Sequence, residues 1–358
     1  MSARARRFVH VFASFGAGGA PVRAVQLMHH LGAECEHVVM ALDGNVEAGE
    51  MLRDDVKVQY AEPSQDRSFF GMRAKQVAWL REQKPDLVLT YNWGSIESVA
   101  AAKQLKLPIV HHEDGFGAEE ASKRFLRRSW LRRWLLRGVP VIVPSSVLQQ
   151  IASKEWRLRP QHLHLLANGV DLVHFSARDV EPGGQVVGTV GGLRAEKDHH
   201  NLLRALAIMP AAVSVCLVGS GPMEAALREQ AKQLGVLDRV TFAGQTSDTA
   251  PSYRGFSVFV ISSSTEQMPI AMLEAMATGL PVVSTDVGDV SQMLPVEQLD
   301  YVVPRADSIA LARALSEVLA DAELRARLGQ ANRRVVEDRY ESASCLKRFC
   351  AVYRQAAR

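Results

Sequence analysis

Two α/β domains in tandem, each built around a parallel sheet, are predicted by three features of the sequence. Short β-rich segments alternate with longer helical patterns along the whole chain, which is typical of βα units. The 358 residues exceed the usual length of one domain and correspond to about two. With 47% apolar and 23% charged residues, the composition excludes a disordered, collagen-like or coiled-coil chain.

The first half is predicted to form one doubly wound domain. Its strands are expected near residues 7–13, 36–42, 86–92, 108–113 and 139–145. Its helices are expected near residues 20–31, 69–83, 95–105 and 146–154. A linker is predicted at 172–184, where periodicity is lost and Pro182-Gly183-Gly184 interrupts the chain. We therefore expect a first domain at 1–172.

A second domain of the same kind is predicted at 185–340. Its strands are expected near residues 186–192, 213–219, 240–243, 257–262 and 281–285. Its helices are expected near residues 199–209, 222–235 and 269–278, followed by two further helical patterns at 307–328 and 341–357. Pro222 and Pro269 stand where a first helical residue belongs, and Gly235 and Gly279 stand where a helix terminates.

The charge is distributed unevenly. The whole chain has 42 basic and 39 acidic residues, too small an excess to predict a nucleic-acid partner. Residues 1–175 contain 23 basic and 18 acidic residues, and much of this excess lies at 123–137. Seven cations there alternate with aromatic and leucine side chains: Lys123, Arg124, Arg127, Arg128, Arg132, Arg133 and Arg137. This stretch is either an ordinary surface helix or a peripheral contact with anionic lipid or an anionic acceptor.

The cysteines and the hydropathy pattern bear on location. Four cysteines in so long a chain form no disulfide framework, and no pair has the spacing of a zinc site. No uncharged apolar stretch reaches the ~18 residues of a membrane span. We therefore expect a cytoplasmic protein, with peripheral attachment to the inner face of the membrane through 123–137 as an open possibility.

Two carboxylates stand out after the predicted strand at 257–262. Glu266 lies in the turn that follows the strand, and Glu274 lies inside a nearly all-apolar helix. A carboxylate in such a helix needs a partner such as a hydroxyl or a cation. Taken alone, the pair could also be one surface residue and one core residue bonded to nearby backbone.

The stretch from Glu266 to Glu274 resembles the E-x7-E signature of retaining glycosyltransferases of family 4. The resemblance implies that Glu266 binds hydroxyls of a donor sugar and that Glu274 binds the ribose of its nucleotide. A carboxylate accepts strong hydrogen bonds from vicinal hydroxyls. The intervening turn lies at a helix N-terminus, where N–H groups can reach hydroxyls or phosphate; it comprises Gln267, Met268, Pro269 and Ile270.

A second loop follows the strand at 186–192 and resembles the G-R-L-x-x-E-K-G stretch of the same family. Gly192 replaces the usual Arg, and Asp198 replaces the usual Gly. The resemblance assigns Arg194 and Lys197 to the donor diphosphate. Two cations there would stabilise the charge that develops on a leaving diphosphate.

Glycine turns complete the donor-side resemblance. Gly16, Gly18 and Gly19 precede a helix, which suits close approach to phosphate, but Pro21 breaks the dinucleotide-binding fingerprint. The loop is similar to the amino-terminal Gly-Gly loop of the family. Gly219 and Gly244 lie in turns that resemble the family's G-x-G-P turn and its segment near the nucleotide base.

The acceptor side is less well determined. Many family members place a His beside the reacting sugar, after a strand that ends in His-Gly. Here the strand continues as His111-His112-Glu113-Asp114-Gly115, so Asp114 takes the expected position, and a shifted register would select His111 or His112 instead. We predict that this cluster, with His112 and Asp114 foremost, binds the acceptor hydroxyl or transfers its proton.

The resemblance covers almost the whole chain and implies a GT-B fold. In that fold two Rossmann-like domains face a cleft, and the last helix, here 341–358, crosses back to the first domain. The implied activity is transfer of a hexose from a nucleoside diphosphate sugar, UDP- or GDP-linked, to a glycan or lipid-linked acceptor, with neither metal nor resident cofactor. A sugar-nucleotide epimerase or phosphorylase on the same fold, and a non-catalytic nucleotide-sugar-binding subunit, remain alternatives.

Overall fold

The computed structural model describes residues 4–16, 18–64, 66, 68–116, 125–178 and 183–357. The chain forms two compact units. Unit 1 comprises Met1–Ala167 and Ala343–Arg358, and unit 2 comprises Asn168–Ser342. The whole predicted linker, 172–184, therefore falls within the range of unit 2; residues 179–182 lie outside the described part of the chain.

Unit 1 contains a parallel sheet with the strand order β3-β2-β1-β4-β5-β6-β7. Its strands are β1 Arg6–Phe12, β2 Cys35–Ala41, β3 Val58–Ala61, β4 Leu87–Tyr91, β5 Ile109–His112, β6 Val141–Val143 and β7 Leu163–Leu165. The sequence did not predict β3 and β7, which form the two edges. Both are short and half-exposed, so neither shows the continuous apolar run of a central parallel strand.

Six helices are described in unit 1: α1 Gly19–Leu31, α2 Phe69–Gln83, α3 Ile96–Gln104, α4 Leu126–Leu135, α5 Ser146–Lys154 and, at the carboxyl end of the chain, α13 Ser342–Ala356. Ser68 and Ser145 cap α2 and α5 by accepting backbone N–H hydrogen bonds. Phe349 and Tyr353 of α13 belong to the same apolar core as Phe8 of the first strand.

Unit 2 contains a second parallel sheet with the strand order β10-β9-β8-β11-β12-β13. Its strands are β8 Gln185–Val190, β9 Val213–Val218, β10 Val240–Gly244, β11 Val258–Ile261, β12 Val282–Thr285 and β13 Val302–Val303. The edge strand β13 was not predicted, since two residues carry no periodic signal. Both sheets are of the Rossmann-like α/β type, which confirms the predicted fold class.

The helices of unit 2 are α6 His199–Ala207, α7 Glu224–Gln233, α8 Ala250–Arg254, α9 Ile270–Ala277, α10 Val290–Met293, α11 Ser308–Ala320 and α12 Ala322–Arg339. The single helical pattern predicted at 307–328 is wrong. The helix ends before Asp321, whose extended backbone and carboxylate cap a second helix by accepting from Leu324 N at 2.9 Å.

The proline positions needed a smaller correction. The helix α7 begins two residues after Pro222, and Pro269 is the N-cap of α9 rather than its first residue. Gly235 and Gly279 follow helices with φ of 68° and 75°, as expected of residues that end a helix in the left-handed conformation.

Strand order determines where a ligand can bind in each unit. Ligands of open α/β sheets bind beyond the carboxyl ends of the strands, at the place where the strand order reverses, which is called the switch point. In unit 2 this point lies between the neighbouring strands β8 and β11. In unit 1 it lies between β1 and β4. The loops after these four strands carry most of the predicted site residues.

Candidate active site

The loops after β8 and β11 are joined by an ion pair. Lys197 Nζ donates to Glu266 Oε1 at 2.6 Å, and the Ser263 hydroxyl donates to the same oxygen at 2.8 Å. Both charged side chains keep some solvent access, with 28% of Lys197 and 12% of Glu266 exposed. The structure therefore brings two predicted site residues, 69 positions apart in the chain, into contact at the switch point of unit 2.

Hydrogen bonds to backbone carbonyls hold these two loops together. Ser262 donates its hydroxyl to the Lys197 carbonyl at 2.9 Å, and Ser264 N donates to the Glu196 carbonyl at 2.8 Å. Since these bonds satisfy main-chain groups on both loops, the side chains of Lys197 and Glu266 are presented on a fixed frame.

Two glycines beside these loops lie where a carbonyl group of another segment leaves no room for a side chain. Gly219 has φ of 134°, and a Cβ there would lie 2.1 Å from the Gly191 carbonyl oxygen. Gly288 has φ of 54°, and its Cβ would lie 2.4 Å from the Glu266 carbonyl oxygen. Gly219 N also donates to Gly244 O at 2.7 Å. These contacts give the predicted turn glycines a structural role; phosphate or base contact by Gly219 and Gly244 stays a prediction.

Asp198 and Gly192, the two residues that differ from the family's usual G-R-L-x-x-E-K-G stretch, both fit the local structure. Asp198 adopts the left-handed conformation, with φ of 41°, and caps α6 by accepting from Asn201 N. Glycine adopts this conformation most readily, and aspartate is among the residues that tolerate it. Gly192 lies against Arg194, whose Nε would be 3.1 Å from an added Cβ. Arg194 itself is exposed.

Glu274 lies on α9 and is held by hydroxyl groups. Tyr253 donates its hydroxyl to Glu274 Oε2 at 2.7 Å, and Thr249 lies at 3.4 Å from the same oxygen. Burial raises the pKa of Glu274, and these hydrogen bonds oppose only part of that effect. The carboxylate is thus already arranged to accept hydrogen bonds from hydroxyl groups.

The turn between the two glutamates is anchored through its backbone. Asn168 donates its side-chain amide to the Met268 carbonyl at 3.0 Å, and Asp289 N donates to the Gln267 carbonyl at 3.0 Å. Pro269 is the N-cap of α9 and Ile270 its first residue. Met272 N donates to the Pro269 carbonyl at 3.2 Å, and contact of the Gln267–Ile270 turn with a donor stays a prediction.

One residue of this region was not selected as a site residue from the sequence. His199 begins α6 and is 4% exposed. It lines a small pocket together with Lys197, Glu266 and Pro269. Burial and the neighbouring Lys197 lower its pKa to about 4, so the imidazole is neutral. Its Nδ1 has no protein partner within the described residues; only the position of His199 directly after the basic loop could have drawn attention to it.

In unit 1 the glycine loop precedes α1 as predicted. Gly18 is the N-cap of the helix without a side-chain hydrogen bond, and its N–H donates to Gly16 O at 2.8 Å. Gly19 is the first helical residue, and Ala17 lies outside the described residues. The helix N-terminus is therefore capped by backbone alone, which suits an anion, while phosphate contact by these glycines remains a prediction.

His112 lies in the core of unit 1. It is fully buried; its Nδ1 is 3.3 Å from the Thr90 carbonyl, and its Nε2 is 2.8 Å from the hydroxyl of Tyr353 on α13. The geometry fits a neutral ring that donates from Nδ1 and accepts at Nε2. Burial, with Arg23 and His111 nearby, holds the pKa of His112 well below its usual range. Both ring nitrogens are thus engaged with protein groups.

Asp114 occupies a different environment, only partly buried. Arg23 of α1 forms a bidentate ion pair with its carboxylate, with Arg23 Nη2 at 2.8 Å from Oδ2. Asn92 Oδ1 accepts from Asp114 N at 2.7 Å. Asn92 follows β4 with φ of 59° and ψ of −178°, a strained conformation of the kind that collects at functional sites. Arg23 and Asn92 were not selected from the sequence, because only the fold brings them to Asp114.

Glu113 and Arg132 form a buried ion pair between β5 and α4. Arg132 Nε and Nη2 donate to Glu113 at 3.0 and 3.2 Å, and both side chains are at most 1% exposed. Burial alone would raise the pKa of Glu113, but Arg132 and His111 outweigh it and lower the pKa. Three aromatic rings surround the guanidinium at about 5 Å: Trp93, Phe116 and Trp156.

Arg132 therefore differs from the exposed arginines of the predicted basic stretch. Lys123 and Arg124 lie outside the described residues, and Arg127, Arg133 and Arg137 are exposed. The stretch is not a uniformly solvated surface helix, because its central arginine is part of the core.

Comparison with solved structures shows that this fold is shared. A crystal structure of Anabaena Alr3699/HepE in complex with UDP-glucose has a TM-score of 0.85 to this chain, at 19% sequence identity. The similarity covers 98% of this chain and 99% of that one. WaaG, a glycosyltransferase involved in lipopolysaccharide biosynthesis, has a TM-score of 0.74 at 17% identity, over 97% of this chain and 99% of its own.

Two glycosyltransferase families match the sequence itself, one in each half. Residues 17–174 match the family described as Glycosyltransferase Family 4, and residues 174–335 match the family described as Glycosyl transferases group 1. The chain is a glycosyltransferase with the GT-B fold, and its first half matches family 4. The predicted enzyme class is thereby confirmed, whereas the roles assigned to individual residues remain predictions.

Two curated relatives of this glycosyltransferase are named for lipopolysaccharide core biosynthesis. The lipopolysaccharide core biosynthesis glycosyltransferase LpsE of Rhizobium meliloti (strain 1021) is 27% identical over 291 residues, which cover 77% of this chain and 80% of LpsE. The lipopolysaccharide core biosynthesis mannosyltransferase LpcC of Rhizobium leguminosarum bv. viciae is 26% identical over 215 residues, 55% of this chain and 59% of LpcC. Among the described residues of the glycosyltransferase, no helix is both long and apolar enough to cross a bilayer.

Proposed function

We propose that this glycosyltransferase moves a sugar from a nucleoside diphosphate sugar to a hydroxyl of a glycan or lipid-linked acceptor, with retention at the anomeric carbon. The Lys197–Glu266 pair at the switch point of unit 2 carries the proposal, since it places a cation and a carboxylate together at the edge where ligands of this fold class bind. A structural neighbour that binds UDP-glucose favours a UDP-sugar over a GDP-sugar.

The diphosphate of the donor is assigned to Arg194 and Lys197. The ammonium of Lys197 has three donors, so it can keep its bond to Glu266 while another N–H reaches a phosphate oxygen. Arg194 is exposed at the start of the same turn, and its planar guanidinium suits two phosphate oxygens at once. Because charge grows on the diphosphate as the sugar leaves, these two cations favour the transition state over the bound donor.

The two carboxylates are assigned to the two sugars of the donor. Glu266 has Oε1 bonded to Lys197 and Ser263, which leaves capacity on the carboxylate for hydroxyls of the transferred sugar. Glu274 accepts from hydroxyls of this chain through Oε2 and is assigned to the ribose. In this arrangement the carboxylates orient the donor, and the cations stabilise the departing charge.

The transfer step requires no covalent intermediate with the protein. The bond between the anomeric carbon and the diphosphate oxygen breaks with its electron pair going to the diphosphate. The acceptor oxygen forms a new bond to the same face of the anomeric carbon, and its proton passes to a leaving phosphate oxygen. The products are a glycoside of unchanged anomeric configuration and a nucleoside diphosphate. The expectation that no metal takes part stays a prediction.

The acceptor is assigned to the polar edge of unit 1 around Asp114. Its carboxylate is 15% exposed, whereas His112 is fully buried with both ring nitrogens engaged. Arg23 and Asn92 fix the orientation of Asp114. Of the two residues predicted for this role, Asp114 has the better access to an acceptor hydroxyl. Relatives that act in lipopolysaccharide core synthesis favour an acceptor of that class.

The test combines donor selection with product stereochemistry. A thermal-shift panel of UDP- and GDP-sugars identifies the donor through ligand stabilisation of the folded chain. Proton NMR of the product formed with an α-linked donor then reads the anomeric configuration. We expect an α-linked product that appears only when the acceptor is present. A β-linked product would contradict retention, and conversion of the donor without acceptor would favour the epimerase alternative.

A further inference from the structure

The outward face of α4 is apolar. Leu126, Trp130 and Trp134 are 87%, 66% and 60% exposed. At about 100° per residue, these three side chains fall within about 80° of one another on the helix. The indole rings of Trp130 and Trp134 and the side chain of Leu126 thus make a continuous apolar stripe on the surface of unit 1.

Arginines flank the apolar stripe on both sides. Arg133 lies just before Leu126 around the helix axis and Arg127 just beyond Trp134, on the same angular scale. Both are exposed, as is Arg137 after the end of the helix. The exposed face is therefore a hydrophobic centre bordered by positive charge, the pattern of a helix that lies in a membrane interface.

The inward face of α4 explains why the helix does not rotate to bury the apolar stripe against unit 1. It carries Arg132, which is 1% exposed, bonded to Glu113 and surrounded by aromatic rings. A helix of an ordinary surface buries its tryptophans and exposes its arginines. Here the polarity is reversed. Rotating α4 to cover Trp130 and Trp134 would separate a buried ion pair, which is strongly unfavourable.

We propose that the outward face of α4 docks unit 1 onto an anionic lipid bilayer. The two indoles and Leu126 would enter the boundary between headgroups and acyl chains, and Arg127, Arg133 and Arg137 would contact lipid phosphates. The ten-residue helix is about 15 Å long, so its face is small beside the roughly 800 Å² per partner of a stable protein interface. A bilayer requires no such area, because each inserted side chain contributes by itself.

Vesicle binding tests the proposal directly. The full chain is sedimented with sucrose-loaded vesicles of phosphatidylcholine and phosphatidylglycerol at 2:1, and the partition constant is measured. We expect binding, and a loss of about tenfold or more in the Trp130→Ser/Trp134→Ser double variant. Phe70→Ser is the matched control. Phe70 is 73% exposed, with Arg73 over its ring at 5.8 Å, but it lies on α2, so binding should be unchanged.

The arginines are tested with the same vesicles. Arg127→Gln/Arg133→Gln should weaken binding about thirtyfold, because each arginine near an anionic surface contributes ~1 kcal/mol. Raising the salt concentration should weaken binding of the unchanged protein, and pure phosphatidylcholine vesicles should bind it much less. Equal binding to neutral and anionic vesicles would contradict the charge part of the proposal.

A second measurement needs no variant. Trp79, Trp93 and Trp156 are less exposed than Trp130 and Trp134. Bromine-labelled lipids should therefore selectively quench the fluorescence of the two indoles of α4. The wavelength of the emission that remains should shift. Absence of both vesicle binding and quenching would overturn the proposal, as would a dimer that dissociates in the tryptophan double variant without any vesicle binding. Transfer to a water-soluble acceptor should be unaffected by that variant, which separates this proposal from the proposed reaction.

Discussion

The carboxyl edges of the two sheets carry similar charged residues with different surroundings. In unit 2, Lys197 and Glu266 pair at 2.6 Å and keep access to solvent. In unit 1, Glu113 and Arg132 pair at 3.0 Å but are buried among aromatic rings. The comparison teaches that an ion pair at a strand end indicates chemistry only when ligand can reach it; otherwise it holds neighbouring elements together.

Removing one partner of the buried pair should have the largest effect on stability. Arg132→Met leaves the Glu113 carboxylate buried without its cation, which costs about 3–5 kcal/mol of unfolding free energy. Chemical denaturation followed by tryptophan fluorescence measures it. The control is Arg133→Met, since Arg133 is the exposed neighbour and its replacement should change the unfolding free energy by less than about 0.5 kcal/mol. Equal effects of the two variants would remove the distinction between the two edges.

Acid should destabilise unit 1, because several of its histidines are buried in the neutral form and would have to take up a charge. Burial lowers the pKa of His37 to about 4, and burial with neighbouring charges lowers those of His10 and His112. The unfolded chain therefore takes up protons first. Stability is full above pH ~6.5 and falls as the pH drops toward 4, by up to about 3 kcal/mol for His37 alone.

Tryptophan fluorescence is a selective probe of that transition, because all five tryptophans lie in unit 1. Urea midpoints measured between pH 7.5 and 4.5 should decrease with falling pH, and the decrease should be smaller in His37→Gln. A midpoint that is constant or rises over this range would contradict the neutral, buried state of these histidines.

Donor binding should depend on Glu274 to a smaller extent. Glu274→Gln replaces charged hydrogen bonds to the donor by neutral ones, which should raise the donor dissociation constant about tenfold in calorimetry. Glu317→Gln is the control. Glu317 also accepts a tyrosine hydroxyl, from Tyr301 at 3.0 Å, but lies on α11, so its replacement should leave donor affinity unchanged. Loss of affinity in both variants would indicate a general effect on unit 2.

The smallest effect tests whether His112 is structural. Tyr353→Phe removes the hydroxyl that His112 Nε2 accepts from and should cost about 1 kcal/mol of stability. Turnover should be unchanged. A marked change in turnover without loss of donor binding would instead return His112 to a catalytic role.

Much of the fold followed from the sequence, because buried parallel strands are continuous apolar runs and helices have distinct boundary residues. Edge strands such as β3 and β13 were missed, since half-exposed or two-residue strands carry little pattern. The break at Asp321 was missed because an apolar period continues across it, and only the capping geometry shows that two helices meet there.

The candidate site was predictable to different degrees in the two units. Lys197 and Glu266 follow neighbouring strands, so a parallel sheet brings them together. The partners of His112 and Arg132 could not be deduced in this way. Tyr353 lies 241 residues from His112, and the rings around Arg132 come from three separate segments. Helical periodicity alone therefore could not show that α4 exposes its tryptophans and buries an arginine.

The turnover number of Lys197→Met tests most directly whether the accessible ion pair of unit 2 performs the chemistry. Removal of one preorganised charge that faces the developing negative charge should lower kcat by about a hundredfold. The melting temperature should remain close to that of the unchanged protein, because the pair is partly exposed. Lys232→Met, at an exposed position of α7, should retain full activity. A kcat for Lys197→Met within twofold of the Lys232→Met value would contradict the assignment.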